Sequence, residues 1–153
     1  MLLTDLVAPN AVIAALKVNG KKQALQELAA KAAQLTGQNE RAVFEVLMQR
    51  EKLGSTGVGN GIAIPHGKLT KLEKLFGLFA RLDRPIDFEA LDGQPVDLVF
   101  LLLAPETAGA DHLKALARVA RLLRDADVAR KLRESRDAEA IYAVLMLEHA
   151  TGG

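Results

Sequence analysis

Gly54-Ser55-Thr56-Gly57-Val58-Gly59-Asn60-Gly61-Ile62-Ala63-Ile64-Pro65-His66-Gly67 is the stretch on which the reading of this chain turns. Five of these fourteen residues are glycine. A packed helix would not choose that composition, because each interior Gly costs about 1 kcal/mol against Ala. Glycine serves where backbone must pass through positive φ or come close to something. Ile62-Ala63-Ile64 reads as a short strand, and Pro65, with fixed φ and no N–H, punctuates it. His66 then stands at the strand exit beside a loop rich in backbone N–H groups. Such loops form anion-binding concavities. The pattern points to a histidine that meets phosphate. A plain turn with a structural histidine is the alternative that composition and spacing leave open.

Upstream, Lys21–Thr36 is the clearest helix, with Ala24, Leu25, Leu28, Ala29, Ala32 and Leu35 at helical spacing. Gly37 is its C-terminal cap. Asn39 caps a second helix, Glu40–Lys52, whose apolar stripe is Val43, Phe44, Leu47 and Met48. Arg50 extends that stripe just before the glycine loop. It offers either a planar fork of donors for phosphate or a stem lying on the core with its head in water.

Ala11–Val18 reads as a buried strand closed by the Asn19-Gly20 turn. Beyond the loop, Leu75–Leu82 reads as a strand and Asp83–Pro95 as a long connection. Val96–Ala104 is almost continuously apolar, as a central strand covered on both faces would be. Asp111–Arg124 reads as a helix with Leu113, Leu116, Ala117, Ala120 and Leu123 inward. Asp125 or Asp127 caps a short helix through Arg133, and Ser135 or Asp137 caps a last one with Ile141, Val144 and Leu145 inward. Alternating strands and helices, followed by helices, predict a three-layer α/β/α domain.

With 153 residues the chain suits one domain of roughly 100–200 residues. Half of it is hydrophobic and only 4% aromatic, so an aliphatic core is expected. A net charge of +1 and the lack of aromatic-basic clusters argue against nucleic acid as a partner. Cysteine is absent, which removes disulfides and Cys-based zinc sites and suits a reducing cytoplasm. The N-terminus has no secretory signal pattern. The longest apolar run is far short of the ~20 residues that span a bilayer.

Histidine is neutral and nucleophilic near pH 7. Its phosphorylated ring is a good leaving group, so it suits a relay. Phosphoryl transfer asks for positioning and for charge stabilisation on the equatorial oxygens. The candidates for that work are backbone N–H groups of Gly57, Gly59, Asn60 and Gly61, the Thr56 hydroxyl, the Asn60 amide and Arg50. No Gly-Lys-Ser/Thr nucleotide motif is present. Of the three histidines, His149 reads as a surface residue of the tail. His112 lies in a helical first turn, either as a plain surface residue or as a donor to the phosphoryl group. With no His-x-x-x-His pair and no clustered third ligand, no metal site is expected.

Gly54 through Lys68-Leu69 closely resembles the active-site segment of the fructose/mannitol-type IIA domains of the bacterial phosphoenolpyruvate phosphotransferase system, above all of their nitrogen-regulatory branch. Asp92-Gly93-Gln94-Pro95-Val96-Asp97-Leu98-Val99-Phe100, Ala104-Pro105-Glu106 and Asp111-His112-Leu113 extend the resemblance. It implies one domain over residues 1–150 with a frayed 151–153 tail, and a mixed sheet of about four or five strands. It implies phosphorylation of His66 by a small HPr-like carrier, with Arg50 approaching the site and His112 next to the acceptor. It implies no cofactor, a cytoplasmic location without membrane insertion, and regulatory targets such as transporters or sensor kinases. The same resemblance would also fit a sugar-transport IIA component passing phosphate to a IIB domain. A non-catalytic anion-binding regulatory module is the alternative of another class.

Overall fold

The structure is a computed structural model that describes residues 2–152, with side chains described as far as Leu147. His149 and the last residue of the 151–153 tail lie outside that description.

Six strands form one sheet among the described residues: β1 (Val12–Leu16), β2 (Gly57–Gly59), β3 (Ile62–Ala63), β4 (His66–Leu69), β5 (Phe76–Ile86) and β6 (Val96–Pro105). The path runs β1-β5-β6-β3-β2, with β4 also pairing β6. β1 lies parallel to β5, and both β3 and β4 lie parallel to β6, whereas β5 with β6 and β2 with β3 are antiparallel. The sheet is therefore mixed, as expected, but has six strands rather than four or five. The difference arises in the glycine-rich stretch. Read as loop apart from Ile62-Ala63-Ile64, it contributes three short strands. β2 and β3 form a hairpin, and Pro65 interrupts the ladder so that it resumes at His66.

Five helices complete the fold: α1 (Lys21–Thr36), α2 (Glu40–Lys52), α3 (Ala110–Arg124), α4 (Ala126–Glu134) and α5 (Ala138–Gly152). α1 and α2 pack together and reach β5 and β4. α3 rests on β6, α5 rests on β1, and α4 joins them. Cover on both faces explains why every β6 residue except Asp97 is buried. The caps form as anticipated. Gly37 ends α1 at φ 76°. Asn39 accepts the Ala42 N–H at 2.9 Å, Asp125 accepts from Asp127 and Val128, and Asp137 accepts from Ala140.

Two expectations need correction. β5 does not stop at Leu82. It continues to Ile86, opposite Val96, across a register irregularity between Arg81 and Ile86. Pro85, which has no N–H to give a ladder, sits inside that irregularity, where the strand tolerates it. The inward face of α3 is also rotated. His112, Ala115, Val119 and Leu123 are buried, while Leu113 is 69% exposed and Ala117 is exposed. The helix spends its first inward position on an imidazole and leaves the neighbouring leucine outside. The core is mainly aliphatic, yet Phe79, Phe88 and Phe100 are among its largest fully buried side chains.

Candidate functional site

Three elements meet at His66. It opens β4, where it pairs with Leu102 on β6. The Leu102 N–H donates to the Pro65 carbonyl at 3.0 Å, so the chain is held on both sides of the proline break. The next residue, Gly67, lies where a Cβ would stand 2.1 Å from Val46 Cγ1 of α2. Only glycine allows α2 to come this close, and that approach brings Arg50 to the histidine.

The ring of His66 is oriented at both nitrogens. Nδ1 lies 2.9 Å from the Ile64 carbonyl oxygen, which only accepts, so the proton is on Nδ1. Nε2 therefore holds the lone pair, and Arg50 Nε–H donates to it at 3.2 Å. Arg50 Nη1–H donates to the Gly54 carbonyl at 2.9 Å, which steadies the guanidinium. The His112 ring stands 5.6 Å from that of His66, centroid to centroid, at an interplanar angle of 62°. His112 is only 8% exposed, and its Nε2 is buried without a hydrogen-bond partner among the described residues. It is not the surface residue that one reading of the sequence allowed. No side chain caps the start of α3, which follows Gly109.

Burial pushes the His66 pKa below 6.5. The Arg50 charge pushes the same way, while the bond to the Ile64 carbonyl and the Glu51 carboxylate oppose it. Burial likewise lowers His112, helped by the positive character of His66 and Lys68. Both rings are thus neutral near pH 7, one with a lone pair held ready and one with a buried nitrogen unspent.

The loop residues named from the sequence are placed elsewhere. Thr56 is 3% exposed, and both its N–H and its hydroxyl donate to Glu51. Gly57 N–H donates to Ser55 Oγ at 3.0 Å, and Ala90 lies against Gly57 at a distance that would exclude a Cβ. Gly59, Asn60 and Gly61 form the hairpin tip, all at positive φ. Asn60 N–H donates to Asp92 at 3.0 Å. Arg133 donates to the Asn60 carbonyl at 2.7 Å and clamps Asp97. The Gly61 carbonyl accepts from Asp97 and Leu98. The tip is thus fastened at the Asp97 end of β6, whereas His66 pairs at Leu102. At about 3.3 Å per residue the two points are roughly 15 Å apart. The structure brings together Arg50, His66 and His112, and fastens Thr56, Gly57, Asn60 and Gly61 to other partners.

Sequence reasoning missed Glu51, Asp92, Asp97 and Arg133. Glu51 had a signal: Val43, Leu47 and Glu51 are spaced by four, so Glu51 rather than Arg50 continues the buried stripe, and Arg50 lies half-buried beside it. The other three act across the fold, with no local signal. Among the described residues no group of three His, Asp or Glu could hold a metal ion, and no helix is long and apolar enough to cross a membrane.

Residues 5–147 match the family described as phosphoenolpyruvate-dependent sugar phosphotransferase system, EIIA 2. The chain is 82% identical over 151 residues to a nitrogen regulatory protein of Bradyrhizobium diazoefficiens, covering 99% of each. Among solved structures it resembles nitrogen regulatory protein IIA-Ntr of Neisseria meningitidis, with a TM-score of 0.88, 34% identity, and 94% and 98% of the two chains covered. It also resembles IIA mannitol of Escherichia coli, with a TM-score of 0.76 over 90% and 97% of the chains. At 20% identity that likeness concerns the fold alone.

Proposed function

This chain belongs to the EIIA 2 family of the phosphoenolpyruvate-dependent sugar phosphotransferase system, and from that membership we propose a histidine phosphocarrier of a nitrogen-regulatory phosphotransferase system. His66 accepts phosphate on Nε2 from an HPr-like carrier, and its phosphorylation state governs binding to regulatory targets such as transporters or sensor kinases. One observation carries the assignment to His66: Nδ1 is tied to the Ile64 carbonyl, so the lone pair is on Nε2, facing an arginine.

In this reading Arg50 leaves Nε2 as the phosphoryl group arrives and turns its fork to the equatorial oxygens, where charge must be met. His112 stays neutral and donates a ring N–H. The proposed setting is the cytoplasm. The sugar-transport reading uses the same chemistry, but the identity to a nitrogen regulatory protein favours regulation.

The test is phosphorylation by phosphoenolpyruvate through the upstream carriers. Wild-type protein takes one acid-labile, alkali-stable phosphate, and His66→Ala takes none. An H66A protein that still accepts phosphate overturns the assignment. A pull-down with phosphorylated and unphosphorylated protein then separates regulatory targets from a IIB acceptor.

A further inference from the structure

The outward face of α3 takes no part in the chemistry at His66. Lys114, Ala117, Arg118 and Arg121 line an open groove of about 300 Å³ along it. Lys114, Ala117 and Arg121 are exposed, and Arg118 is half-buried between them. Leu113, 69% exposed, stands one turn before Ala117 and extends the apolar floor toward the start of the helix.

The charges of this helix are not balanced as those of other helices are. α2 pairs Arg41 with Glu45, and α4 pairs Arg130 with Glu134 and Lys131 with Asp127, each four residues apart. α3 has four bases, Lys114, Arg118, Arg121 and Arg124, against Asp111 as its one acid. Lys114 and Arg118 stand four apart, and Arg118 and Arg121 three apart, spacings at which like charges repel. Among the described residues Lys114 and Arg121 form no ion pair. The helix dipole accounts for Arg121 and Arg124, which lie in the last turn. It does not account for Lys114, near the other end, where the dipole gives a cation no support.

We propose that this groove docks a carboxylate-rich segment of a partner protein, with its acids on Lys114 and Arg121 and an apolar side chain on Leu113 and Ala117. Charge complementarity sets the sign of the occupant, and the length of the strip sets its class. Lys114 to Arg121 spans about 10 Å along the helix axis. Asp111 precedes the strip, and Asp125 and Asp127 follow it. The whole chain has a net charge of only +1. A short cationic strip closed at both ends by carboxylates suits a few acidic side chains. It does not broaden into the field that a nucleic-acid backbone or an anionic bilayer calls for.

Nothing in this docking needs phosphate on His66, so it is tested on the unphosphorylated full chain. The probe is a synthetic helical peptide with a stripe of Glu beside one Leu, titrated into isotope-labelled protein and followed by NMR. The amide signals of Leu113, Lys114, Ala117 and Arg121 should move together, and the effect should fade at about 1 M salt, where the screening length is ~3 Å. Lys114→Glu combined with Arg121→Glu should weaken the peptide about tenfold, since two surface attractions become repulsions. If that variant fails to fold, Lys114→Gln with Arg121→Gln replaces it, with a loss of about threefold. Phosphoryl acceptance from the HPr-like donor should proceed at the wild-type rate in either variant. Slowed acceptance would assign the groove to donor docking and overturn the proposal. The same peptide with Gln for each Glu should not bind, and equal binding would overturn the charge-based reading. So would shifts that cluster away from α3, or a DNA duplex or phosphatidylglycerol vesicles that bind as tightly as the Glu peptide. Wild-type protein that takes no phosphate would sink the phosphocarrier reading instead, with the peptide titration unaffected.

Discussion

The lone pair on His66 Nε2 is guarded by a single arginine, and the consequences of that pairing are testable residue by residue. Arg50 donates through Nε to His66 Nε2 and through Nη1 to the Gly54 carbonyl. Lysine has a point charge and no fork, so it cannot hold both at once. Arg50→Ala should slow phosphoryl acceptance by roughly ten- to a thousandfold, the range for losing one transition-state donor. Arg50→Lys should recover only part of that, measured as single-turnover transfer from the carrier. His112 should behave differently. His112→Ala should still be phosphorylated at His66 but slowly, and His112→Gln, which keeps an N–H, should regain some rate. The two rings also make stability depend on pH. Both have folded pKa values below the ordinary 6.5. On the acid side of 6.5 the unfolded chain binds more protons than the folded one, so stability rises with pH. Their contribution is complete above 6.5 and is lost as pH falls toward the folded values. Urea midpoints should be level above about pH 7 and decline below it, and the decline should be shallower in H112Q.

At the scale of elements, the site depends on how closely α2 lies on β4. Gly67 sets that spacing, since a Cβ there would overlap Val46 Cγ1 at 2.1 Å. Gly67→Ala should cost about 1–3 kcal/mol through overpacking. It should also slow transfer, because moving α2 moves Arg50 away from His66. Val46→Ala combined with Gly67→Ala makes room and should restore much of both losses. A double variant no better than G67A alone would show that strain, not spacing, is at fault. The β2–β3 hairpin is a separate unit. Asp92 and the Asp97–Arg133 pair fix its tip at the far end of β6. Its glycines serve the turn: Gly59 and Gly61 stand at φ 108° and 79°.

For the molecule as a whole, β6 is the support of the site. It pairs with β5 along one edge and with β3 and β4 along the other, and α3 lies on it. Phe100, fully buried at its middle, sits opposite Phe79 and against Gly77, where a Cβ would meet its ring at 2.9 Å. Phe100→Ala should remove about 3–5 kcal/mol, a large share of the roughly 5–15 kcal/mol typical of a domain. Because His66 and Leu102 are paired on the same sheet, acceptance activity should vanish at the same urea concentration as the fold. Activity that outlasted the far-ultraviolet signal would contradict that coupling.

The sequence by itself determined the helices α1 and α2 with their caps and the doubly covered β6, and it singled out His66, which the family resemblance implies is the phosphate acceptor. The elements rest on short-range patterns, helical spacing and an apolar run between prolines, and His66 stood out behind a proline at the end of a glycine-rich run. The tertiary structure decided which polar groups stand beside His66. Thr56, Asn60 and Gly61 looked like free donors and acceptors because nothing near them in the chain claims them except Glu51. Their other partners, Asp92, Asp97 and Arg133, lie thirty or more residues away and arrive only when the sheet closes. The inward turn of α3 was decided in the same way. Side-chain apolarity favoured Leu113, but the packing of α3 on β6 put His112 inside, beside the His66 ring.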